Sequence, residues 1–342
     1  MKSRTLLVGM TYDLRDAWLA EGYSELETAE FDRADTIDSI EAALVALGYA
    51  VDRIGNVRQL AARLVAGDRW DIVFNICEGM HGIGREAQVP ALLDAWQIPY
   101  VFSDTLVCAL TLHKGMTKDV VRAAGVATPD YAVVNDMADV RDIDLGMPLF
   151  AKPIAEGTGK GVSANSKITS KEELQRVCAE LLAEHNGQPV LVERFLPGRE
   201  FTVGVIGTGS HARALATLEI VLLEGADADV YSYRNKEHCE ELVEYRLLPT
   251  GSLRTEIENL VLKAWRALGG RDAGRIDVRL DEAGHASFIE VNPLAGIHPE
   301  HSDLPIMAGM TGMSYEQLIG QIMESASARV KGMPPESALA VA

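Results

Sequence analysis

Between Gly274 and Asn292 the chain reads G-R-I-D-V-R-L-D-E-A-G-H-A-S-F-I-E-V-N. Two runs, Arg275–Leu280 and Ala286–Val291, flank the polar turn Asp281-Glu282-Ala283-Gly284, which is the pattern of a β-hairpin. A strand turns successive side chains to opposite faces. Arg275, Asp277 and Arg279 therefore share one face, and Ile276, Val278 and Leu280 the other. The same alternation on the second strand puts Phe288, Glu290 and Asn292 together. Asp277, Glu290 and Asn292 are all oxygen-bearing, with the Arg275 guanidinium beside them. A few hard oxygen ligands suit Mg²⁺ that keeps waters and bridges phosphates. A solvated strand face with scattered charges would show the same spacing, so the rest of the chain has to decide.

With 342 residues the chain can bury a large core and form two or three domains. Thr5–Val8, Tyr49–Ile54 and Asp71–Ile76 are predicted strands, with helices over Asp35–Leu47 and Val57–Val65 between them. That alternation predicts a doubly wound sheet. Ligands of such sheets sit beyond the carboxyl ends of the strands, where the Gly-rich loop Cys77–Arg85 emerges. Gly9–Arg33 is polar and acid-rich and has no clean period. A helix over Glu86–Trp96, a short strand Tyr100–Phe102, and helices over Leu106–Leu112 and Gly115–Ala124 follow, with Lys114 between the last two. The first domain boundary falls near Ser103.

Pro148–Pro153 is a predicted strand that runs into I-A-E-G-T-G-K-G-V-S, Ile154–Ser163. Gly157, Gly159 and Gly161 let backbone N–H groups approach an anion closely. The loop is neither a Walker A motif nor a Rossmann fingerprint, so a dehydrogenase built on the N-terminal sheet is set aside. Lys152, alternating with Phe150 at the end of a buried strand, is a candidate phosphate ligand. Further on come a helix over Lys171–Glu184, strands over Gln188–Leu196, Glu200–Gly207 and His211–Val221, and a polar, aromatic loop Val230–Glu237. A helix over Leu253–Leu268 precedes the hairpin. The loop Pro293–Pro305, helices over Leu304–Gly312 and Tyr315–Ser325, and a tail from Ser327 follow it.

The formal net charge is −18, from 32 basic and 50 acidic residues, which argues against a nucleic-acid groove or an anionic membrane surface. A small anionic substrate held by a few local Lys and Arg remains compatible with it. Cys77, Cys108, Cys178 and Cys239 are far apart and form no C-x-x-C, which fits a reducing compartment. No run approaches the roughly 18–20 apolar residues of a membrane helix. The expectation is a soluble, cytoplasmic protein.

Taken in order, H-G-I-G, I-P-Y, K-P-I-A-E-G-T-G-K-G-V-S, V-E-R-F-L-P-G-R-E-F-T-V, Y-S-Y-R-N-K, G-R-I-D-V and I-E-V-N-P resemble the D-alanine–D-alanine ligases of the ATP-grasp superfamily. The likeness runs from about Cys77 to Ser325. It implies an α/β (α+β) three-domain ATP-grasp fold. Residues 1–103 would be the N-terminal substrate-binding domain, 104–188 the subdomain with the phosphate-covering loop, 189–330 the subdomain with the metal and oxyanion site, and 331–342 a tail. It implies ATP and two Mg²⁺ (Mn²⁺ as an alternative), amino-acid-like substrates and a homodimer. By the same resemblance Lys114 and Lys152 contact the phosphates. Glu193, Phe195 and Leu196 form the hinge over the adenine, whose pocket Ile289 lines. Glu200 bonds the ribose. Glu156, Thr158 and Gly159 fall in the covering loop. Tyr231, Tyr233 and Lys236 match a second lid, where the lysine reaches the γ-phosphate. Asp277, Glu290 and Asn292 match the metal ligands, and Arg275 the arginine that holds the developing oxyanion. The implied reaction joins a carboxylate to an amine through an acyl phosphate. A non-catalytic ATP-binding sensor or partner subunit of the same fold is the alternative.

Three departures from the family pattern bear on the amino-acid half. The N-terminal Gly-rich turn with Ser-x-Glu is replaced by Gly9–Asp35, where Glu30 is the candidate for the first substrate's amino group, with His81 nearby in the H-G-I-G motif. The acceptor loop reads P-L-A-G-I-H-P-E-H-S-D, with Gly296, His301 and Ser302 as candidate substrate contacts. His298, Glu300, His301 and Asp303 also suggest a metal site, a weaker reading for histidines three apart on a Pro-bounded loop. The covering loop has Gly159 and Lys160 where serine is usual.

Overall fold

A computed structural model describes residues 4–223, 225 and 239–330. Strands β1 (Leu7–Thr11), β2 (Ala50–Gly55) and β3 (Ile72–Asn75) form a parallel sheet in the order β2-β1-β3. One face buries the helix Ala34–Ala46 through Ile37, Ile40 and Leu44. The other buries the helices Val57–Ala66 and Gln88–Ala95 through Leu60, Leu64, Val89 and Leu93. Cover on both faces is why β3 is an unbroken apolar run until Asn75. The doubly wound expectation holds, with differences of detail. Tyr100–Phe102 is not a strand; Tyr100 makes a single parallel bridge to Val73. Inside the aperiodic stretch sits a helix, Arg15–Ala20, pinned by the buried Trp18, whose Nε1 donates to Asp13 Oδ1 at 3.0 Å. Six residues are too few to display a helical period. Lys114 begins the helix Lys114–Ala123 rather than standing between two helices.

Strands β4 (Tyr131–Val134), β5 (Leu149–Pro153), β6 (Lys167–Ile168) and β7 (Val190–Arg194) form an antiparallel sheet in the order β4-β7-β5-β6. The helix Lys171–Glu184 covers it through Leu174, Val177, Cys178 and Leu181. Strand β4 carried no alternating signal, because pairing with β7 rather than a pattern of its own makes it a strand.

Strands β8 (Glu200–Ile206), β9 (Arg213–Leu222), β10 (Val243–Leu247), β11 (Ala273–Leu280) and β12 (Ala286–Asn292) form the third sheet, in the order β10-β9-β8-β11-β12. The helix Ser252–Leu268 packs on it, with Ile257, Val261 and Trp265 against Val203, Ile276 and Val278. Gly274 makes that contact possible, since a Cβ there would lie 2.5 Å from the Trp265 ring. The last helices, Asp303–Met310 and Tyr315–Ser327, share one core with the first sheet: Leu318, Ile319 and Ile322 lie in the cluster of Ile37, Ile40 and Leu44. Among the described residues no helix is long and apolar enough to cross a membrane.

The hairpin is β11–β12, as its sequence predicts, with one correction. Asp277 pairs with Glu290, but the next pair is Val278 with Phe288, so Ile289 is an extra residue in a bulge. Phe288 consequently faces the core with Val278 and Ile276 instead of sharing the face of Glu290. Both Ile289 and Glu290 are left to line the cleft opposite that core.

Candidate active site

A cleft lies between the second and third sheets. Strand β5 contributes Lys152, β7 contributes Glu193, and the chain just after β7 contributes Phe195 and Leu196. Glu200 opens β8, while Asp277, Ile289 and Glu290 come from the hairpin. Lys114, Glu156 and Gly159 close the far wall.

Charge in the cleft is arranged in alternating pairs. Lys152 Nζ lies 3.1 Å from Glu290 Oε2 and 3.4 Å from Glu193 Oε1. Lys118 Nζ, fully buried, lies 2.7 Å from Glu193 Oε2 and donates to Thr128 Oγ1 at 3.0 Å. Lys114 Nζ donates to the Glu156 carbonyl at 2.6 Å. Burial pushes the Lys114 and Lys118 ammonium pKa values down. Burial works the same way on Lys152, but Glu290 and Glu193 together outweigh it and hold that lysine above its usual range. Burial likewise opposes ionisation of Glu193, and Lys118 and Lys152 keep its carboxyl below the usual range. Lys114 and Lys152 thus line the cleft as cations suited to polyphosphate oxygens, while buried Lys118 braces Glu193 behind them. Lys118 was missed from the sequence, although it lies one turn beyond Lys114 on the same helix face.

Beyond the lysines the cleft turns apolar. Phe150 and Phe195 have ring centroids 6.5 Å apart, and the Arg279 guanidinium stands 4.9 Å over Phe195. Arg279 Nη1 also reaches Glu200 Oε2 at 3.3 Å. With Leu196 and Ile289 these groups make a slot suited to a flat heteroaromatic ring, with the Glu200 carboxylate at its edge.

Asp277 and Glu290 face each other in register, and Arg275 and Asn292 form the adjoining pair. Asp277 Oδ1 accepts the Thr202 hydroxyl at 2.8 Å, and Arg275 Nε lies 3.1 Å from the same oxygen. Asn292 Nδ2 is buried without a hydrogen-bond partner; half a turn of the amide presents Oδ1 in its place. Among the described residues no three His, Cys, Asp or Glu side chains gather to hold a metal. The candidate set is therefore two carboxylates and an amide, which fits Mg²⁺ completing its shell with water and phosphate oxygens.

A second cavity opens farther along the same face of the hairpin. Arg275 and Asn292 line it, with Glu30, Thr158, Gly296, His301 and Ser302. Thr158 therefore faces this cavity, whereas its neighbour Gly159 faces the cleft. Arg275 is further held by an ion pair with Asp303, a partner the sequence did not suggest for it. Ser302 Oγ accepts the His298 N–H at 2.9 Å, and the His298 and His301 rings stack at 4.5 Å. His81 lines neither cavity; its ring meets the Tyr23 hydroxyl at 3.1 Å on the exposed surface. Glu30 is in the cavity wall, yet its carboxylate is already engaged, by Arg85 at 2.8 Å, Lys160 at 3.5 Å and the Gly157 N–H at 2.7 Å. That arrangement ties the covering loop to the N-terminal sheet and argues against Glu30 as the receptor of a substrate ammonium. Tyr231, Tyr233 and Lys236 lie outside the described residues.

Comparison with known proteins gives a consistent picture. The family model described as D-ala D-ala ligase C-terminus matches residues 120–324. The D-alanine--D-alanine ligase of Dechloromonas aromatica (strain RCB) is 35% identical over 263 residues, 75% of this chain and 81% of that one. That of Aquifex aeolicus (strain VF5) is 32% identical over 286 residues, 83% of this chain and 92% of that one. Among solved structures, the D-alanine--D-alanine ligase from Bacillus anthracis complexed with ATP superposes with a TM-score of 0.72 at 22% identity, covering 95% of this chain and 97% of that one. The VanG D-Ala:D-Ser ligase from Enterococcus faecalis gives a TM-score of 0.71 at 19% identity, covering 94% and 100%. At those identities the structures speak for the fold.

Proposed function

Because the chain belongs to the D-alanine–D-alanine ligase family and is an ATP-dependent ligase that forms amide bonds, we propose a division of labour in which its cleft activates a carboxylate and its second cavity holds the amino-acid-like substrates. ATP lies in the cleft, with adenine against Phe195, Leu196 and Ile289, ribose at Glu200, and phosphates along Lys114 and Lys152 beneath the Thr158-Gly159 loop. One observation carries the proposal. The hairpin is the shared wall: its Asp277–Glu290 pair faces the cleft, and its Arg275–Asn292 pair faces the second cavity. A carboxylate in that cavity meets the terminal phosphate one pair farther along the same hairpin face.

The substrate carboxylate oxygen bonds to the γ-phosphorus as the bond to the ADP oxygen breaks. The amine of the second substrate then bonds to the acyl carbon, phosphate leaves, and the nitrogen loses a proton. Arg275 steadies the tetrahedral oxyanion in a site screened from water. Asp277, Glu290 and Asn292 would hold Mg²⁺, two ions on the family pattern, which when bound neutralises charge between the β- and γ-phosphates. We further assign a homodimer, following the family resemblance; a one-chain mass by light scattering would contradict it.

The test is phosphate release from ATP and Mg²⁺ across a matrix of D- and L-amino acids, with products read by mass spectrometry. Asp277→Asn is expected to abolish release while leaving the circular dichroism spectrum unchanged. Full activity in that variant overturns the metal assignment, and silence with every pair of amino acids overturns the ligase reading of this site.

A further inference from the structure

The N-terminal wall of the second cavity carries three carboxylates that the proposed reaction does not use: Asp32, Glu78 and Glu86. Glu86 is 8% exposed, and its Oε2 is buried without a hydrogen-bond partner. Among the described residues most of the nearby cations are paired elsewhere. Arg85 serves Glu30 and the Ala155 carbonyl at 2.8 Å, Lys114 the Glu156 carbonyl at 2.6 Å, and Arg15 the Glu25 carboxylate at 2.6 Å. Arg275 is held by Asp277 and Asp303, and Arg33 is exposed. Glu30, with two cations of its own, adds no net attraction for another.

We propose that this wall recognises a substrate with two ammonium groups, so that the amino acid activated here is a diamino carboxylic acid. The inference rests on the ligase reading and goes beyond it. One α-ammonium group is matched by one carboxylate, but three carboxylates without a salt bridge among the described residues line this wall, and a second ammonium answers the surplus. A metal ion is the poorer occupant, because no three carboxylates among the described residues converge at metal-binding distance. An ammonium asks less of geometry, since its hydrogens can reach carboxylates set further apart. Burial supports the same conclusion. It pushes the Asp32 and Glu86 carboxyls up to about 7 and the Glu78 carboxyl well above its usual range, an electrostatic strain that an incoming cation relieves.

The experiment is calorimetric titration of the full chain at pH 7.5 with 2,3-diaminopropionate, ornithine, lysine and alanine, both enantiomers of each, alongside phosphate release with ATP and Mg²⁺. At least one diamino acid is expected to bind roughly tenfold or more tighter than alanine, the worth of one additional charge-assisted hydrogen bond. Glu86→Gln is expected to remove most of that margin while leaving alanine binding little changed. Alanine binding as tightly as every diamino acid overturns the inference, as does a margin untouched by Glu86→Gln. Phosphate release with alanine but with no diamino acid overturns the inference and leaves the ligase reading in place. Tight diamino-acid binding with no phosphate release from any pair upholds the subsite and overturns the ligase reading instead.

Discussion

Glu30 Oε1 accepts the backbone N–H of Gly157 at 2.7 Å, joining a residue of the N-terminal segment to the glycine loop across 127 positions of chain. The contact explains why position 157 is glycine, since a Cβ there would stand 2.8 Å from that oxygen. Burial opposes the Glu30 charge, but Arg85 and Lys160 hold its carboxyl below the usual range. The loop is thus fastened from outside its own sheet.

Glu30→Ala should destabilise the fold by about 3–5 kcal/mol, because it leaves the Arg85 guanidinium buried without its anion. Urea denaturation measures this, and a loss under about 1 kcal/mol would contradict the clasp. Gly157→Ala should release the loop with a smaller loss, seen as faster proteolysis within Ile154–Ser163.

Lys118 and Glu193 should behave as a unit. Lys118→Met and Glu193→Gln are each expected to lower stability by about 3 kcal/mol, with coupling of at least about 1 kcal/mol in the double variant. The reason is that Lys118 Nζ and Glu193 Oε2 are 2.7 Å apart in a dry site. Additive losses would mean that each side chain acts through other neighbours.

Arg275→Lys should lower kcat roughly 100- to 1000-fold with little change in the KM for ATP, the usual consequence of losing one oxyanion donor. Lysine cannot grip Asp277 and Asp303 together as the planar guanidinium does. An equal fall in kcat/KM for ATP through KM alone would place Arg275 in nucleotide binding.

Stability should fall as pH rises from about 4.5 to about 7. Glu86 has a folded pKa of about 7 against an ordinary 4.5, so in that window the folded state binds the proton that the unfolded chain has released. The contribution is full below pH 4.5 and lost on passing about 7. Asp32 adds in the same direction; Glu78, Glu30, Arg85 and Lys114 set the field at Glu86. Glu86→Gln should flatten the dependence of the thermal midpoint on pH across this window. An unchanged slope would show that Glu86 does not hold a proton in the fold.

Much of the cleft could be read from the chain in one dimension. Lys152, Asp277 and Glu290 sit on strands, where period-two spacing states which side chains share a face, whereas Glu193 and Glu200 were indicated only by the family resemblance. The doubly wound sheet was legible for a similar reason, since its helix stripes and apolar strands are local patterns. Alternation failed at Phe288, because a bulge shifts the register by one residue and nothing local marks it.

Local order along the chain, then, settled most of the elements, the family and which side chains share a strand face, since those follow from periodicity and from short motifs. Only the folded arrangement decided who pairs with whom. Glu30 reads as a free acid until Arg85 and Gly157 are brought against it, and Glu86 reads as an ordinary surface acid until burial takes its water away. The physical reason is that charge pairing and desolvation depend on distance through space. These partners come from segments whose separation along the chain says nothing about their approach.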